Sequence, residues 1–126
     1  MAGLLSFVGT LTAARAPDAA ELVMFETRTC PWCARWHAEV GVVYAKTAEG
    51  KRAPLRRVDL DRARPADLRD LGAVVYTPTF VLMEHGKDAG RILGYPGEDH
   101  FWGLLGSLLE DLKIATGPTS LLWEKQ

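Results

Sequence analysis

Runs of hydrophobic residues along the chain predict the strands of a sheet. Residues 22–25 are apolar without polar alternation, as expected of a central strand covered on both faces. Residues 55–60 alternate between apolar and charged positions and predict a second strand. Residues 79–83 are nearly all apolar and predict a third. Residues 84–90 contain two glycines and indicate a hairpin loop, which leads into a short edge strand over residues 91–93.

Apolar residues at helical spacing predict the helices between and after these strands. A first helix is predicted over residues 34–48, with Gly50 as its left-handed C-terminal residue. A short helix over residues 61–71 has Gly72 at its C-terminal end. The terminal helix has the clearest periodicity of the chain. Apolar stripes on the first and last of these helices predict core positions at Trp36, Val40, Val43, Tyr44, Phe101, Leu104, Leu105, Leu108, Leu109 and Leu112.

The order of these elements indicates an α/β domain. Strand, helix, strand, helix, hairpin and terminal helix together predict a central mixed four-stranded sheet flanked by helices on both faces. The crossover rule makes the first two strands parallel, and the hairpin makes the last pair antiparallel. The length of 126 residues fits one domain, which we place at residues 17–116. Residues 117–126 form a polar-ended tail whose role the sequence leaves open.

The first sixteen residues differ in composition from the rest of the chain. Residues 2–14 carry no charge, and Ala14-Arg15-Ala16 has the small-x-small pattern of a signal-peptidase site. The stretch is too short to span a membrane. We therefore predict a signal peptide over residues 1–16 and a periplasmic protein that begins near Pro17. The alternative is an N-terminal extension, such as a first strand, on a cytoplasmic protein.

Charge excludes one class of function. Fifteen basic and sixteen acidic residues leave a net charge of −1, which is unlike the basic surface of a nucleic-acid-binding protein. The chain contains only two cysteines, Cys30 and Cys33. They are too few for a disulfide framework, and a bridge between them closes too short a loop to stabilise the fold much. The two cysteines are therefore predicted to take part in a reaction rather than to stabilise the fold.

Cys30-Pro31-Trp32-Cys33 lies where the first strand passes into the first helix, the arrangement of a redox-active dithiol. Cys30 precedes the helix, where free backbone N–H groups favour a thiolate, so it is the predicted nucleophile. Cys33, one turn further, is the predicted resolving thiol. Pro31 shapes the entry into the helix without losing a hydrogen bond. Trp32 is either a partly exposed aromatic without a partner or a contact surface for substrate.

The remaining polar residues near the motif carry weaker signals. Arg28 and Arg35 could lower the pKa of the Cys30 thiol, although a solvated role is the simpler interpretation of each. His37 falls one turn after Cys33 and could move protons, but a surface or packing role is the simpler interpretation. His85 and His100 are predicted to be solvated. A zinc site would need two further ligands near the cysteines, and the histidines are scattered singly, so no metal is predicted.

With the Thr77-Pro78 pair that opens the third strand and Gly94 after the fourth, the motif resembles the thioredoxin fold. The resemblance covers most of residues 20–114. It implies a cis Thr77–Pro78 bond against the dithiol, and Thr77 is expected to offer its backbone to an extended substrate segment. More narrowly, the chain is similar to the periplasmic SoxS-type thioredoxins of bacterial sulfur-oxidation gene clusters. Those proteins are thought to keep a cysteine of the sulfur-carrier complex reduced.

Two positions depart from ordinary cytoplasmic thioredoxin. Pro31-Trp32 replaces Gly-Pro between the cysteines and is more similar to the Pro-Tyr of glutaredoxins, while Met24 replaces a buried aspartate. Proton transfer to the second cysteine must therefore use water or another group. The resemblance implies a thiol–disulfide oxidoreductase without a cofactor other than its dithiol.

The expected partners are a disulfide-containing protein substrate and a membrane thiol electron donor, and the protein is expected to be a monomer. The alternatives are a glutaredoxin-like reductase that uses glutathione and a thioredoxin-like binding module without catalysis.

Overall fold

The computed structural model describes Gly9 and residues 20–116, the last four of these by their backbone alone. The predicted signal peptide or extension over residues 1–16, except Gly9, lies outside the described residues. The tail over residues 117–126 lies outside them as well. Among the helices of the described part, none combines the length and the apolar character needed to cross a membrane.

The described chain is built on a four-stranded sheet. Its strands are β1 (Glu21–Glu26), β2 (Leu55–Asp59), β3 (Thr79–Glu84) and β4 (Lys87–Leu93). They lie side by side in the order β2-β1-β3-β4. β1 and β2 are parallel, whereas β3 pairs antiparallel with both β1 and β4. The predicted α/β class and mixed four-stranded sheet are confirmed.

Both faces of the central strand are buried, as its unbroken apolar run predicts. Leu22 and Met24 point to one face, where they join a large cluster with residues of the first and last helices. Val23 and Phe25 point to the other face, where a smaller cluster includes Leu68. All four strand residues are fully buried. The sheet thus forms a rigid platform from which β1 leads directly into the cysteine motif.

The first helix starts earlier and ends earlier than its predicted span of residues 34–48. It consists of α1 (Pro31–Trp36), a π-helical turn (His37–Gly41) and α2 (Val42–Tyr44). It starts at Pro31 because Cys30 caps it. The wider π-helical turn changes which residues face the sheet. Tyr44 is therefore buried, while Val43, predicted to lie in the core, is 40% exposed.

The prediction that Gly50 ends that helix is wrong. A separate helix, α3 (Ala48–Arg52), follows and contains Gly50. Thr47 caps α3 by accepting a hydrogen bond from the Gly50 N–H at 3.0 Å. Gly50 is required there because a Cβ atom would lie 1.8 Å from the Tyr44 carbonyl oxygen. The glycine therefore permits close packing of two helical segments.

Two further elements differ from their predicted form. The helix predicted over residues 61–71 is a 3₁₀ helix restricted to Ala66–Leu71, and it starts after Pro65. β4 is longer than predicted, because a two-residue turn of His85 and Gly86, both with positive φ, already reverses the chain. Such turns match the twist of paired strands.

The terminal helix, α4 (Glu98–Thr116), packs most of its predicted stripe against the sheet. Phe101, Leu105, Leu109 and Leu112 are buried, while Leu104 at the edge of the stripe is 39% exposed.

Candidate active site

Cys30 and Cys33 form a disulfide at the start of α1, with their Cα atoms 5.2 Å apart. Cys30 is the N-cap of the helix, and its Sγ accepts a hydrogen bond from the Cys33 N–H at 3.0 Å. Pro31 occupies the first helical turn, where no N–H donor is needed. Cys30 is 8% exposed and Cys33 is 3% exposed. An approaching thiolate therefore reaches the disulfide more readily at Cys30.

Trp32 projects from the motif into solvent. Its side chain is 52% exposed, and the Arg35 guanidinium lies 5.9 Å from the ring centroid. The ring thus has a cationic partner, contrary to the interpretation of an aromatic residue without one. A cation over a tryptophan ring holds it in place while leaving the rest of the ring available for contact.

A groove of about 680 Å³ runs beside the motif. Its walls include Trp32, Arg35, Tyr76, Thr77, Leu93 and Tyr95. The Thr77–Pro78 peptide bond is cis, and Pro78 is buried below this surface. The Gly94 N–H donates to the Pro78 carbonyl at 2.7 Å, which ties the end of β4 to this loop. The structure therefore brings Trp32 and Thr77 together along one surface.

A short chain of hydrogen bonds stiffens one wall of the groove. Arg35 Nε donates to Glu39 at 2.8 Å, and the Tyr95 hydroxyl donates to the other Glu39 oxygen at 2.5 Å. These bonds, first from Arg35 and then from Tyr95, lower the pKa of the Glu39 carboxyl. Burial and the bond to Glu39 raise the pKa of the Tyr95 hydroxyl. Arg35 is therefore held by Glu39 at the surface of the protein.

Cys30 and Cys33 line a second cavity of about 470 Å³, named the polar cavity here because most of its other lining residues are charged or polar. Its charged and titratable residues are Glu26, Arg28, His37, Arg57 and Asp59. Glu26, at the end of β1, accepts hydrogen bonds from Arg57 on β2, including 3.2 Å contacts from Nε to both oxygens. His37 Nε2 lies 2.9 Å from the second Glu26 oxygen. His37 is therefore part of a hydrogen-bonded cluster with Glu26 and Arg57 beside the dithiol.

Opposing effects act on the Glu26 carboxyl. Burial raises its pKa, but hydrogen bonds from Arg57 and His37 together with their charges outweigh burial, so the pKa lies below its ordinary value. Glu26 is therefore ionised at neutral pH. The Glu26 side chain is 14% exposed, and its ionised carboxylate therefore lies on the same cavity as the disulfide.

Sequence reasoning did not identify Glu26, Arg57 or Tyr76 as residues of the site. Glu26 and Arg57 come together because β1 and β2 are neighbouring parallel strands. Their register places Glu26 opposite Asp59, two residues after Arg57. The sequence predicts that the two strands are parallel but not their register, so the charged residue at the end of β1 was the one available signal. Tyr76 carries no sequence signal beyond its place before Thr77. His85 in the β3–β4 turn and His100 in α4 line neither the groove nor the cavity.

Metal ligands do not come together in the described part of the chain. No group of three or more His, Cys, Asp or Glu side chains there could hold a metal ion. The redox group of this site is the Cys30–Cys33 disulfide itself.

Comparison with known proteins identifies the family. A family model described as a thioredoxin-like domain matches residues 9–109. The crystal structure of the reduced periplasmic thioredoxin SoxS from Paracoccus pantotrophus is 44% identical, with a TM-score of 0.68. That match covers 72% of this chain and 96% of SoxS.

More distant solved structures share the fold alone. Fasciola hepatica thioredoxin is 24% identical with a TM-score of 0.56, over 72% of this chain and 83% of that one. Chlamydomonas reinhardtii thioredoxin f2 is 19% identical with a TM-score of 0.58, over 71% and 79% of the two chains. No curated protein matches the chain. The matched domain carries the two cysteines as a disulfide at a helix start, and the chain belongs to the thioredoxin-like family of thiol–disulfide oxidoreductases.

Proposed function

We propose that the protein is a periplasmic reductase that keeps a cysteine of a partner protein reduced, with the carrier complex of bacterial sulfur oxidation as the partner. The observation that carries this proposal is the 44% identity to a periplasmic SoxS over 96% of that chain. The same likeness supports the periplasm as the location. The groove beside the disulfide, with its exposed Trp32, supports a protein rather than a small molecule as the substrate.

Reduction of the partner proceeds in two exchanges. The Cys30 thiolate attacks one sulfur of the partner disulfide, forms a mixed disulfide and releases the other sulfur as a thiolate. Cys33, deprotonated, then attacks the Cys30 sulfur. The new bond is the Cys30–Cys33 disulfide, and the second partner sulfur leaves as a thiolate that takes up a proton. Two electrons pass to the partner.

The groove positions the partner for this chemistry. Trp32 offers a flat ring and Thr77 a backbone segment along the groove, which suits a peptide strand that lies beside the disulfide. A membrane thiol donor must return the electrons, because the periplasm is kept oxidising.

Trapping tests the partner. Cys33→Ser stops the second exchange, so the variant expressed in the native host should retain its partner as a mixed disulfide with Cys30. The expected adduct is a protein of the sulfur-oxidation machinery, identified by mass spectrometry. The matched control, Cys30→Ser, should retain nothing. Glutathione as the only adduct would support a glutaredoxin-like enzyme, and no adduct would support a binding module.

The direction of electron flow is tested by the equilibrium reduction potential. A reductase should have a potential near that of thioredoxin, about −270 mV, whereas a value near that of DsbA, about −120 mV, would contradict reduction. Mass spectrometry of the protein from its native host tests export. A mature N-terminus near Pro17 is expected, and one still at Met1 would contradict a cleaved signal peptide.

A further inference from the structure

We propose that Glu26 and His37 act as a pair that accepts the proton which the Cys33 thiol loses when the mixed disulfide is resolved. The inference rests on the exchange at Cys30 and Cys33 described above and adds the proton acceptor that this exchange requires. Only the thiolate of Cys33 is nucleophilic, so its proton must leave before or during the attack on Cys30.

The proton of Cys33 can leave toward only one side of this residue. On its buried side Cys33 belongs to an apolar cluster with Met24 and Trp36, both fully buried. Neither side chain accepts a proton. On its other side Cys33 lines the polar cavity. A polar cavity of about 470 Å³ is large enough to hold water that connects the thiol to the groups on its walls.

His37 is placed by the helix to face this cavity. It lies one turn after Cys33, and its backbone N–H donates to the Cys33 carbonyl. Residues four apart on a helix share one face, and side chains lean toward the helix N-terminus. His37 therefore lies over the turn that carries Cys33, with Nε2 directed at Glu26.

The other groups on the cavity are poor acceptors. Arg28 and Arg57 are cations without a lone pair to offer. Asp59 is a second carboxylate on the cavity, but its contacts are with the Asp61 N–H at 2.8 Å and with Arg62 at 3.7 Å rather than with an imidazole that could share the proton. Glu26 and His37 remain, joined at 2.9 Å.

Glu26 and His37 suit proton uptake because the two side chains interact directly. A neutral imidazole takes up the thiol proton, and the adjacent Glu26 carboxylate stabilises the imidazolium that results. Arg57 fixes the carboxylate by its hydrogen bonds, so it is a positioning residue. In the step itself, the Cys33 S–H bond breaks, its proton passes through water to the pair, and the Cys33 electron pair forms the bond to the Cys30 sulfur. The partner thiolate that leaves is the final proton acceptor, so the pair is regenerated.

Stopped-flow reaction of the reduced full-length protein with one equivalent of DTNB isolates this step. Cys30 attack releases the first thionitrobenzoate, and attack by Cys33 releases the second. Each release is read by absorbance between about pH 5 and about pH 9, a range that spans imidazole and thiol titration. We expect His37→Gln and Glu26→Gln to slow the second release about 10²-fold near pH 7, a loss typical of a missing general base. The first release should change far less.

The pH profile separates a proton acceptor from a structural role. In His37→Gln the midpoint of the second release should move up toward about 8.5, the ordinary pKa of a thiol. Asp59→Asn is the matched control on the same cavity and should keep the wild-type profile. An unchanged second release in His37→Gln, or a shifted midpoint in Asp59→Asn alone, would overturn the proposal.

Failure of the whole thiol–disulfide exchange would give a different result from failure of the proton acceptor. If the two cysteines were not a redox pair, the wild-type protein itself would show no second release. Glu26→Gln removes partners of Arg57 and could destabilise the fold, so circular dichroism accompanies each variant. His37 is 29% exposed and is expected to tolerate glutamine, which keeps the test valid on its own.

Discussion

Among the glycines of the described residues, Gly50 has the least room for a side chain. A Cβ atom there would lie 1.8 Å from the Tyr44 carbonyl oxygen, which is backbone and cannot rotate away. We expect Gly50→Ala to lower the free energy of unfolding by about 1–3 kcal/mol, as overpacking does, measured by urea denaturation. Gly103 in α4 has open space around its Cα, so Gly103→Ala should instead raise stability by about 0.5–1 kcal/mol. Equal effects of the two substitutions would contradict this account of Gly50.

Glu26 predicts a specific pH dependence of stability. Its pKa is lowered in the folded protein, so the carboxylate contributes stability above the unfolded-state pKa of about 4.3. That contribution is lost as pH falls through the folded-state pKa. Urea unfolding of wild type and Glu26→Gln should therefore show a stability difference that shrinks below about pH 4.

Arg57→Gln provides the control for that experiment. It removes the main hydrogen-bond partner of Glu26 and should reduce the same pH-dependent difference. A stability difference between wild type and Glu26→Gln that grows on acidification would contradict the lowered pKa.

At the scale of the element, the β3–β4 hairpin depends on a residue in an unfavourable conformation. His85 has a φ of 51°, followed by Gly86 with a φ of 74°. Asparagine adopts positive φ more readily, and Asn-Gly is a preferred two-residue hairpin turn. We expect His85→Asn to raise the free energy of unfolding by about a few tenths of a kcal/mol, measured by chemical denaturation. His100→Asn, on an exposed helix position, serves as the control and should give no such gain.

The first three strands and the terminal helix could be predicted because each carries its signal in its own consecutive residues. The unbroken apolar run of residues 22–25 and the stripe of α4 allow one interpretation each. The first helix was less predictable. Its boundaries depend on the Cys30 cap, a π-helical turn and the close packing of Gly50, all of which are tertiary features without a sequence period.

The site divides in the same way. Cys30 and Cys33 could be recognised from the sequence, because two cysteines three positions apart at a helix start indicate a dithiol. Glu26 and Arg57 are 31 positions apart and meet only through the β1–β2 pairing. The role proposed for His37 depends on the contact between Glu26 and Arg57, so it could not be assigned before the sheet was known.

At the scale of the whole molecule, three exposed apolar side chains lie along the groove. Trp32, Tyr76 and Leu93 are 52–63% exposed on its walls. We expect Tyr76→Ser to lower kcat/KM for a protein disulfide such as insulin about tenfold, the effect of losing one interface contact of about 1.4 kcal/mol. Reaction with DTNB, which has no peptide segment to lie in the groove, should not change.

Val43→Ser is the matched control for this prediction. Val43 is also an exposed apolar residue, but it lies on α2 and lines neither the groove nor the cavity. It should leave both reactions at the wild-type rate. An equal loss with insulin in the two variants would show that general surface hydrophobicity, rather than the groove, governs the reaction.

The groove and the polar cavity share no lining residue, although both border the Cys30-Pro31-Trp32-Cys33 motif. Cys30 and Cys33 face the cavity, while Trp32 between them faces the groove. A substitution that retargets the protein to a new client can therefore leave its working pH untouched, and the reverse also holds. Substitutions that change partner recognition and substitutions that change the reaction at the disulfide can therefore accumulate independently. Either property can be redesigned without changing the other.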